Sequence, residues 1–150
     1  MHTDTFWMQR ALELAALAED VGEVPVGAVL VRDAIEIGYG CNAPIGSNDP
    51  TAHAEINALR MACAHEHNYR LPESTLFVTL EPCIMCAGAI IQARVARVVF
   101  AASEPRSGAA GSVFNVFAET RLNHRLVCEG GLLAESAAAQ LKEFFVKRRA

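Results

Sequence analysis

Two short segments carry the residues whose types and spacing could do chemistry. His53-Ala54-Glu55 sets an imidazole two positions before a carboxylate, and Pro82-Cys83-Ile84-Met85-Cys86 sets two thiols three positions apart. Each segment falls at the beginning of a predicted helix. A spacing of three puts Cys83 and Cys86 on one helix face. The positive end of a helix favours the thiolate, which is the form a metal binds. One imidazole and two thiolates suit Zn²⁺, which takes nitrogen and sulfur ligands, and three protein ligands leave a fourth tetrahedral position for water. Water held there is acidified toward a pKa of ~7 and becomes a hydroxide nucleophile. On a regular helix His53 and Glu55 would point apart. In a first turn whose end faces a pocket both reach inward, and Glu55 is then a proton carrier beside the metal rather than a ligand.

Other readings of these residues exist. Cys-x-x-Cys alone is also a thiol redox pair, but here the proline precedes the first cysteine, and a redox pair leaves His53 and Glu55 without a role. A structural zinc site wants a fourth Cys or His. Cys41, Cys63 and Cys128 remain for that part, and none pairs with another at ligand spacing. His-x-Glu followed by Pro-Cys-x-x-Cys is the signature of the zinc deaminases, which uses all four residues.

The chain around these motifs has 150 residues, 52% hydrophobic and 20% charged. That length suits one domain, expected over residues 1–150, and the balance supplies a core, which excludes a wholly disordered protein. No apolar run reaches the roughly 18 residues of a membrane span. The first residues lack the basic stretch of a signal peptide, and five cysteines are an odd number, so a reducing cytoplasm is expected and a disulfide framework is not. The net charge of −4 argues by itself against a nucleic-acid partner, but its distribution does not. Residues 1–93 carry −8, residues 94–125 carry +3 and the last 25 carry +1, including Lys147-Arg148-Arg149. Late basic residues suit a polyanionic partner, or equally a solvated helix end whose cations complement the macrodipole.

The elements that must position the motifs follow from periodicity. Trp7, Ala11, Leu14, Ala18 and Val21 predict a helix over 5–21 that Gly22 stops. Residues 26–31 and 35–40 read as strands joined by a short turn, an antiparallel hairpin. Asp49-Pro50-Thr51 looks like a helix start, with the helix running to about His65. Strands over 75–80 and 97–101 flank a helix from Cys83 to about Arg94, which implies a parallel pair with a crossover. Residues 103–112 form a loop, residues 114–117 a short helical turn, 126–128 a weak strand, and Leu133, Ala137, Leu141 and Phe144 a closing amphipathic helix. The sum is an α/β domain of three layers, α-β-α, with a mixed five-stranded sheet.

Nearly the whole chain resembles the bacterial tRNA-specific adenosine deaminases, within the cytidine deaminase superfamily. The likeness runs through Glu23–Val29, Asn42, Asp49–Ile56, Leu80–Ala89, Gly108-Ala109-Ala110-Gly111-Ser112, Asn123-His124, Phe144-Phe145 and Arg148-Arg149. The zinc motifs specify only the superfamily, since guanine deaminases carry a similar Pro-Cys-x-Met-Cys. The Gly-Ala-Ala-Gly-Ser loop and the aromatic-basic tail point to the tRNA enzymes.

The resemblance implies a cytidine-deaminase-like fold, one Zn²⁺ per subunit on His53, Cys83 and Cys86, and Glu55 as the proton shuttle. Hydroxide then attacks C6 of the wobble adenosine in an anticodon loop, ammonia leaves and inosine forms. It implies that Asn42 hydrogen-bonds the base edge and that the backbone of Ala54 and Cys83 helps hold the reacting centre. It also implies a homodimer and a tRNA anticodon stem-loop as partner, with arginine tRNA the expected source. The target base must be splayed out to enter the pocket, which is cheapest in single-stranded RNA. Phe145 and Arg149 are candidate RNA contacts, by stacking and by phosphate binding. Glu104 stands where the family usually has Asp, followed by Pro105, and the extra methylene moves a carboxylate expected to contact ribose. His65, His67 and His124 read as surface or loop residues, and Trp7 and the methionines as core. A free-base or nucleoside deaminase of guanine or cytosine type is the alternative enzyme, and a zinc-stabilised RNA-binding module the alternative of another class.

Overall fold

The computed structural model describes residues 2–149; Met1 and Ala150, the two ends of the expected domain, lie outside the described residues. Helix α1 (Asp4–Asp20) is capped by Thr3, whose hydroxyl accepts the Phe6 N–H at 3.2 Å. Its Trp7, Met8, Ala11, Leu14 and Ala18 form the buried stripe, while Val21 is an exposed C-terminal cap. Strands β1 (Gly27–Arg32) and β2 (Ile35–Cys41) form the expected antiparallel hairpin. Asp33 and Ala34 both have positive φ, 53° and 61°, as a two-residue turn matched to strand twist requires.

A four-residue helix α2 (Pro44–Ser47), not foreseen from the sequence, precedes α3 (Ala54–Glu66). Helix α3 therefore begins later than the expected Asp49–Thr51. The Asp49 carboxylate accepts both the Thr51 N–H and the Thr51 hydroxyl, closing a local turn instead of capping a helix. After β3 (Thr75–Leu80) come α4 (Ile84–Gln92), β4 (Arg97–Ala102), a single 3-10 turn (Val116–Ala118), β5 (Val127–Gly130) and α5 (Ala134–Arg149).

The sheet order is β2-β1-β3-β4-β5, with β1 antiparallel to both neighbours and β3, β4 and β5 parallel. Alternate strand residues face opposite layers. Ala28, Leu30, Leu76, Val78 and Val98 pack with Ala58 and Leu59 of α3 and Ile90 of α4. Val29, Phe77 and Val99 pack with Trp7, Met8 and Leu14 of α1 and Ala137 of α5. The three-layer mixed sheet agrees with expectation. Of the methionines, Met8 is fully buried, but Met61 is exposed on α3, where its sulfur accepts the Tyr39 N–H.

This topology gathers four strand ends at one end of the sheet. The ends of parallel β3 and β4 lie there, as binding sites of open α/β sheets do. Because β1 runs antiparallel to β3, the start of β1 and the end of β2 lie there as well. Helix α3 is seated directly on β2. A Cβ on Gly40 would lie 2.3 Å from the Ala54 carbonyl oxygen and 2.6 Å from the Ala58 nitrogen. Both obstacles are helix backbone, so a side chain there must lift the end of α3 that carries His53 and Glu55. Gly40→Ala is expected to cost about 1–3 kcal/mol, as overpacking does, and to weaken zinc retention. Thermal melting and metal content check this together; an unchanged melting temperature would show that α3 is not held by this contact.

Candidate metal centre and substrate pocket

His53 is the N-terminal cap of α3, and Cys83 is the N-terminal cap of α4. Both have extended backbone, with ψ of 157° and 175°, so neither obeys helical periodicity. That is how His53 and Glu55, two apart, both reach the pocket. Cys86 follows on the first turn of α4 and is fully buried. Asn57 ties the start of α3 to the preceding chain, donating to the Cys41 carbonyl at 2.9 Å.

The His53 Nδ1 atom lies 3.6 Å from Cys83 Sγ and 3.5 Å from Cys86 Sγ, and the three donor atoms lie within 4.8 Å of one another. Tetrahedral zinc with its usual bond lengths to nitrogen and sulfur separates such a pair by about 3.5 Å. The donor set and its spacing therefore fit zinc. Hydrogen bonding from Cys86, and from His53 after the opposing effect of burial, brings the Cys83 thiol down to about 4. Cys86 is pushed upward, first by sharing its hydrogen bond with Cys83 and then by burial. The hydrogen bond to Cys83 also raises His53.

Glu55 is 4% exposed. Burial lifts its carboxyl to about 7, against the pull of its own backbone N–H and of the His53 charge. It lines a cavity of about 140 Å³ together with Asn42, His53, Leu80, Cys83 and Glu104. Asn42 lies one residue past β2, with its N–H bonded to the Val26 carbonyl at 3.0 Å. Ala54 is fully buried at the first helical position, where its N–H has no intrahelical acceptor, so only its backbone can serve a ligand. Glu104 reaches the cavity wall, and its Oε1 accepts the Arg106 N–H at 3.0 Å.

Phe145 and Arg149 stand elsewhere. They line a second cavity of about 660 Å³ between α5 and the loop after β4, with Arg106 and Arg148. Val24, Leu80 and Glu104 line both cavities, so the larger one opens beside the smaller. Phe144 is buried, and Phe145, edge-on to it at 5.3 Å, is 46% exposed. Arg148 covers the Phe144 ring and donates to the Gly22 carbonyl at 3.1 Å, which anchors the tail.

Two acidic residues of this region had no role in the sequence reading. Buried Glu23 accepts the N–H groups of Ile45 and Gly46 at 3.1 and 2.7 Å and so holds α2. Buried Glu81 holds the loop after β4. The one available signal for Glu81 is an acid placed between an apolar strand and a metal-ligand motif. Ser107, a further residue of the smaller cavity, carried no signal.

Residues 1–102 match the family model of the cytidine and deoxycytidylate deaminase zinc-binding region. A tRNA-specific adenosine deaminase of Haemophilus influenzae is 54% identical over 147 residues, covering 97% of this chain and 85% of that one. Its counterpart from Streptococcus pyogenes is 44% identical over 149 residues, covering 99% and 94%. A solved structure from studies of A-to-I editing by tRNA:A34 deaminases at the wobble position superposes with a TM-score of 0.88 at 42% identity, covering 91% of this chain and 99% of that one. A guanine deaminase from Nitrosomonas europaea superposes with a TM-score of 0.82 at 26% identity, covering 97% and 86%. With such identity over almost its full length, the chain belongs to the tRNA-specific adenosine deaminase family, within the zinc-binding deaminases.

Proposed function

We propose that this protein converts the wobble adenosine of a tRNA anticodon loop to inosine. The observation that carries the reading is a buried carboxylate beside a zinc-type ligand set, in a cavity that opens onto an arginine- and phenylalanine-lined groove. Zinc, held by His53, Cys83 and Cys86, would supply an acidified water. Glu55 would carry one proton from the attacking water to N1 of adenine as the water oxygen bonds to C6, and then the proton of the new C6 hydroxyl to the amine, so that the C6–N bond breaks, ammonia leaves and a C6 carbonyl remains. Asn42 hydrogen-bonds the base edge, the Ala54 N–H supports the reacting centre, and Glu104 meets the ribose. The small cavity accepts one splayed base, and the rest of the loop runs along the groove. An arginine tRNA is the proposed source of the stem-loop, the cytoplasm the proposed compartment, a homodimer the proposed assembly and residues 1–150 one deaminase domain.

The test is inosine formation in an arginine-tRNA anticodon stem-loop by the zinc-loaded protein, with free adenosine, guanine and cytidine in parallel. Inosine in the RNA alone supports the reading. The likeness to a guanine deaminase favours one other outcome, turnover of a free base with the stem-loop untouched, and that result would overturn it.

The groove carries its own prediction. Phe145→Ala is expected to raise KM for the stem-loop by 5- to 150-fold, the range of about 1–3 kcal/mol for one base–aromatic stack. Arg149→Ala is expected to flatten the dependence of log kcat/KM on log salt by roughly 0.7 for each phosphate that the guanidinium neutralises. Steady-state kinetics at several salt concentrations check both. An unaltered slope for Arg149→Ala would remove that residue from the RNA path.

A further inference from the structure

Glu81 sits between the end of β3 and the metal-ligand motif, two residues before Cys83, and is 3% exposed. Its carboxylate is surrounded by donors from one distant segment. Oε1 accepts the Glu104 N–H at 3.0 Å and the Ser112 hydroxyl. Oε2 accepts the Ala110 N–H at 2.9 Å and the Ser112 N–H at 3.1 Å. Backbone contacts run alongside: the Ala109 N–H donates to the Pro82 carbonyl at 2.8 Å, and Gly108 forms a β-bridge with Cys83. The approach is so close that a Cβ on Gly108 would lie 2.4 Å from the Glu81 carboxyl. Burial disfavours the charged carboxylate, but the four hydrogen bonds outweigh it and hold the group below its ordinary range.

Apart from these contacts, segment 103–112 is tied mainly to itself and to the residues that follow it, through backbone hydrogen bonds of Gly108, Ala109 and Gly111 and the Ala110–Asn115 bridge. Ser103, Pro105, Arg106 and Ser107 are exposed, and apolar packing is confined to Ala109 and Ala110. Yet this segment supplies Glu104 and Ser107 to the small cavity, and Arg106 to the groove. We propose that Glu81 is a positioning residue that sets the 103–112 loop in register with the metal ligand Cys83, and so fixes the wall against which the substrate nucleotide lies. Glu81 borders the small cavity itself, but both of its carboxylate oxygens are occupied by the loop, so its effect on the substrate runs through Glu104 and Ser107. Charge-assisted bonds to backbone N–H groups are the strong kind, and an amide in the same place cannot accept on both sides. The inference rests on the deaminase reading above for its kinetic arm and on the free protein alone for its structural arm.

The variant is Glu81→Gln, with Ser112→Ala as a milder cut that removes one of the four bonds. The expected results for Glu81→Gln are amide hydrogen exchange at Ala110 and Ser112 faster by 10- to 100-fold, and KM for the stem-loop raised about 10-fold. The expected change in kcat is less than threefold, and zinc content stays at the parent's value. Ser112→Ala shifts KM and exchange in the same direction by a smaller factor, and decides the matter if Glu81→Gln does not fold. Unchanged exchange and KM in both variants would overturn the proposal. So would loss of zinc with unchanged exchange, since Glu81 would then serve the metal ligands rather than the loop. A parent protein that leaves the stem-loop untouched would instead overturn the deaminase reading, while the exchange result still tests the register.

Discussion

Glu55→Ala is expected to lower inosine formation by 10³-fold or more while the protein keeps its zinc. Proton transfer by one positioned group contributes about 10²- to 10⁴-fold, and Glu55 is assigned both the proton taken from water and the proton given to the amine. The residue is buried, and no second carboxylate can stand in for it: Glu23 is bonded to backbone N–H groups of α2, Glu81 to those of the 103–112 loop, and the Glu104 Oε1 accepts the Arg106 N–H. The same variant is expected to melt at the parent's temperature or a little above it. Burial works against the charged carboxylate, as the rise of its pKa to about 7 records, so removing it also removes a folding cost. Glu55→Gln keeps the side-chain volume and separates lost proton transfer from altered packing. Zinc analysis, melting and stem-loop turnover are the measurements. Turnover within tenfold of the parent would reassign the proton carrier, and loss of zinc would make Glu55 part of the metal's support.

Removing the metal, or one ligand, is expected to have the second largest effect. Chelation should abolish activity, and added zinc should restore it. Cys86→Ala should not be rescued, because its sulfur is fully buried against His53 and, among the described residues, the cluster's one other thiol, Cys83, is already assigned as a ligand. Stability should fall with the metal. A ligand present at 1,000 times its dissociation constant stabilises the folded state by about 4 kcal/mol, which for a chain of this length is roughly 8–16 °C of melting temperature. Binding must deprotonate both thiols, so zinc affinity falls as pH falls. Titrating metal content against pH and following melting with and without chelator checks each part. Full activity after exhaustive metal removal would refute the zinc assignment.

The cluster proposed to hold the metal was legible in the sequence because two helix starts each announce themselves locally, through His-x-Glu and Pro-Cys-x-x-Cys. The hairpin of β1 and β2 and the parallel β3 and β4 were legible for the same local reason. The true start of α3 was not, since Asp49-Pro50-Thr51 has the composition of a cap, and only the hydrogen bonds of the folded loop make it a turn. Phe144 read correctly as buried, and the structure resolves Phe145, one step round α5, as exposed in the groove. Glu81 and Glu23 were opaque for a deeper reason. Their donors lie 22 to 31 residues away in sequence, and backbone N–H groups leave no mark in side-chain pattern.

The chain is divided by task. The metal ligands and Glu55 all precede residue 87, whereas Arg106, Phe145 and Arg149 of the groove all follow residue 102. Chemistry and the basic, aromatic part of recognition are therefore separable by a single crossover between two related genes, near the end of β4, while Asn42 stays with the metal centre. Such a crossover would pass one reaction on to a new class of substrate. Beyond pairing β5 with β4 and packing α5 on α1, its fitness turns on one polar joint, because the incoming segment must present N–H groups at positions 104, 110 and 112 to a carboxylate inherited from the other parent. Exchanges that keep this joint are the ones expected to yield folded hybrids, and they mark where substrate range in this family can be redirected without rebuilding the metal centre.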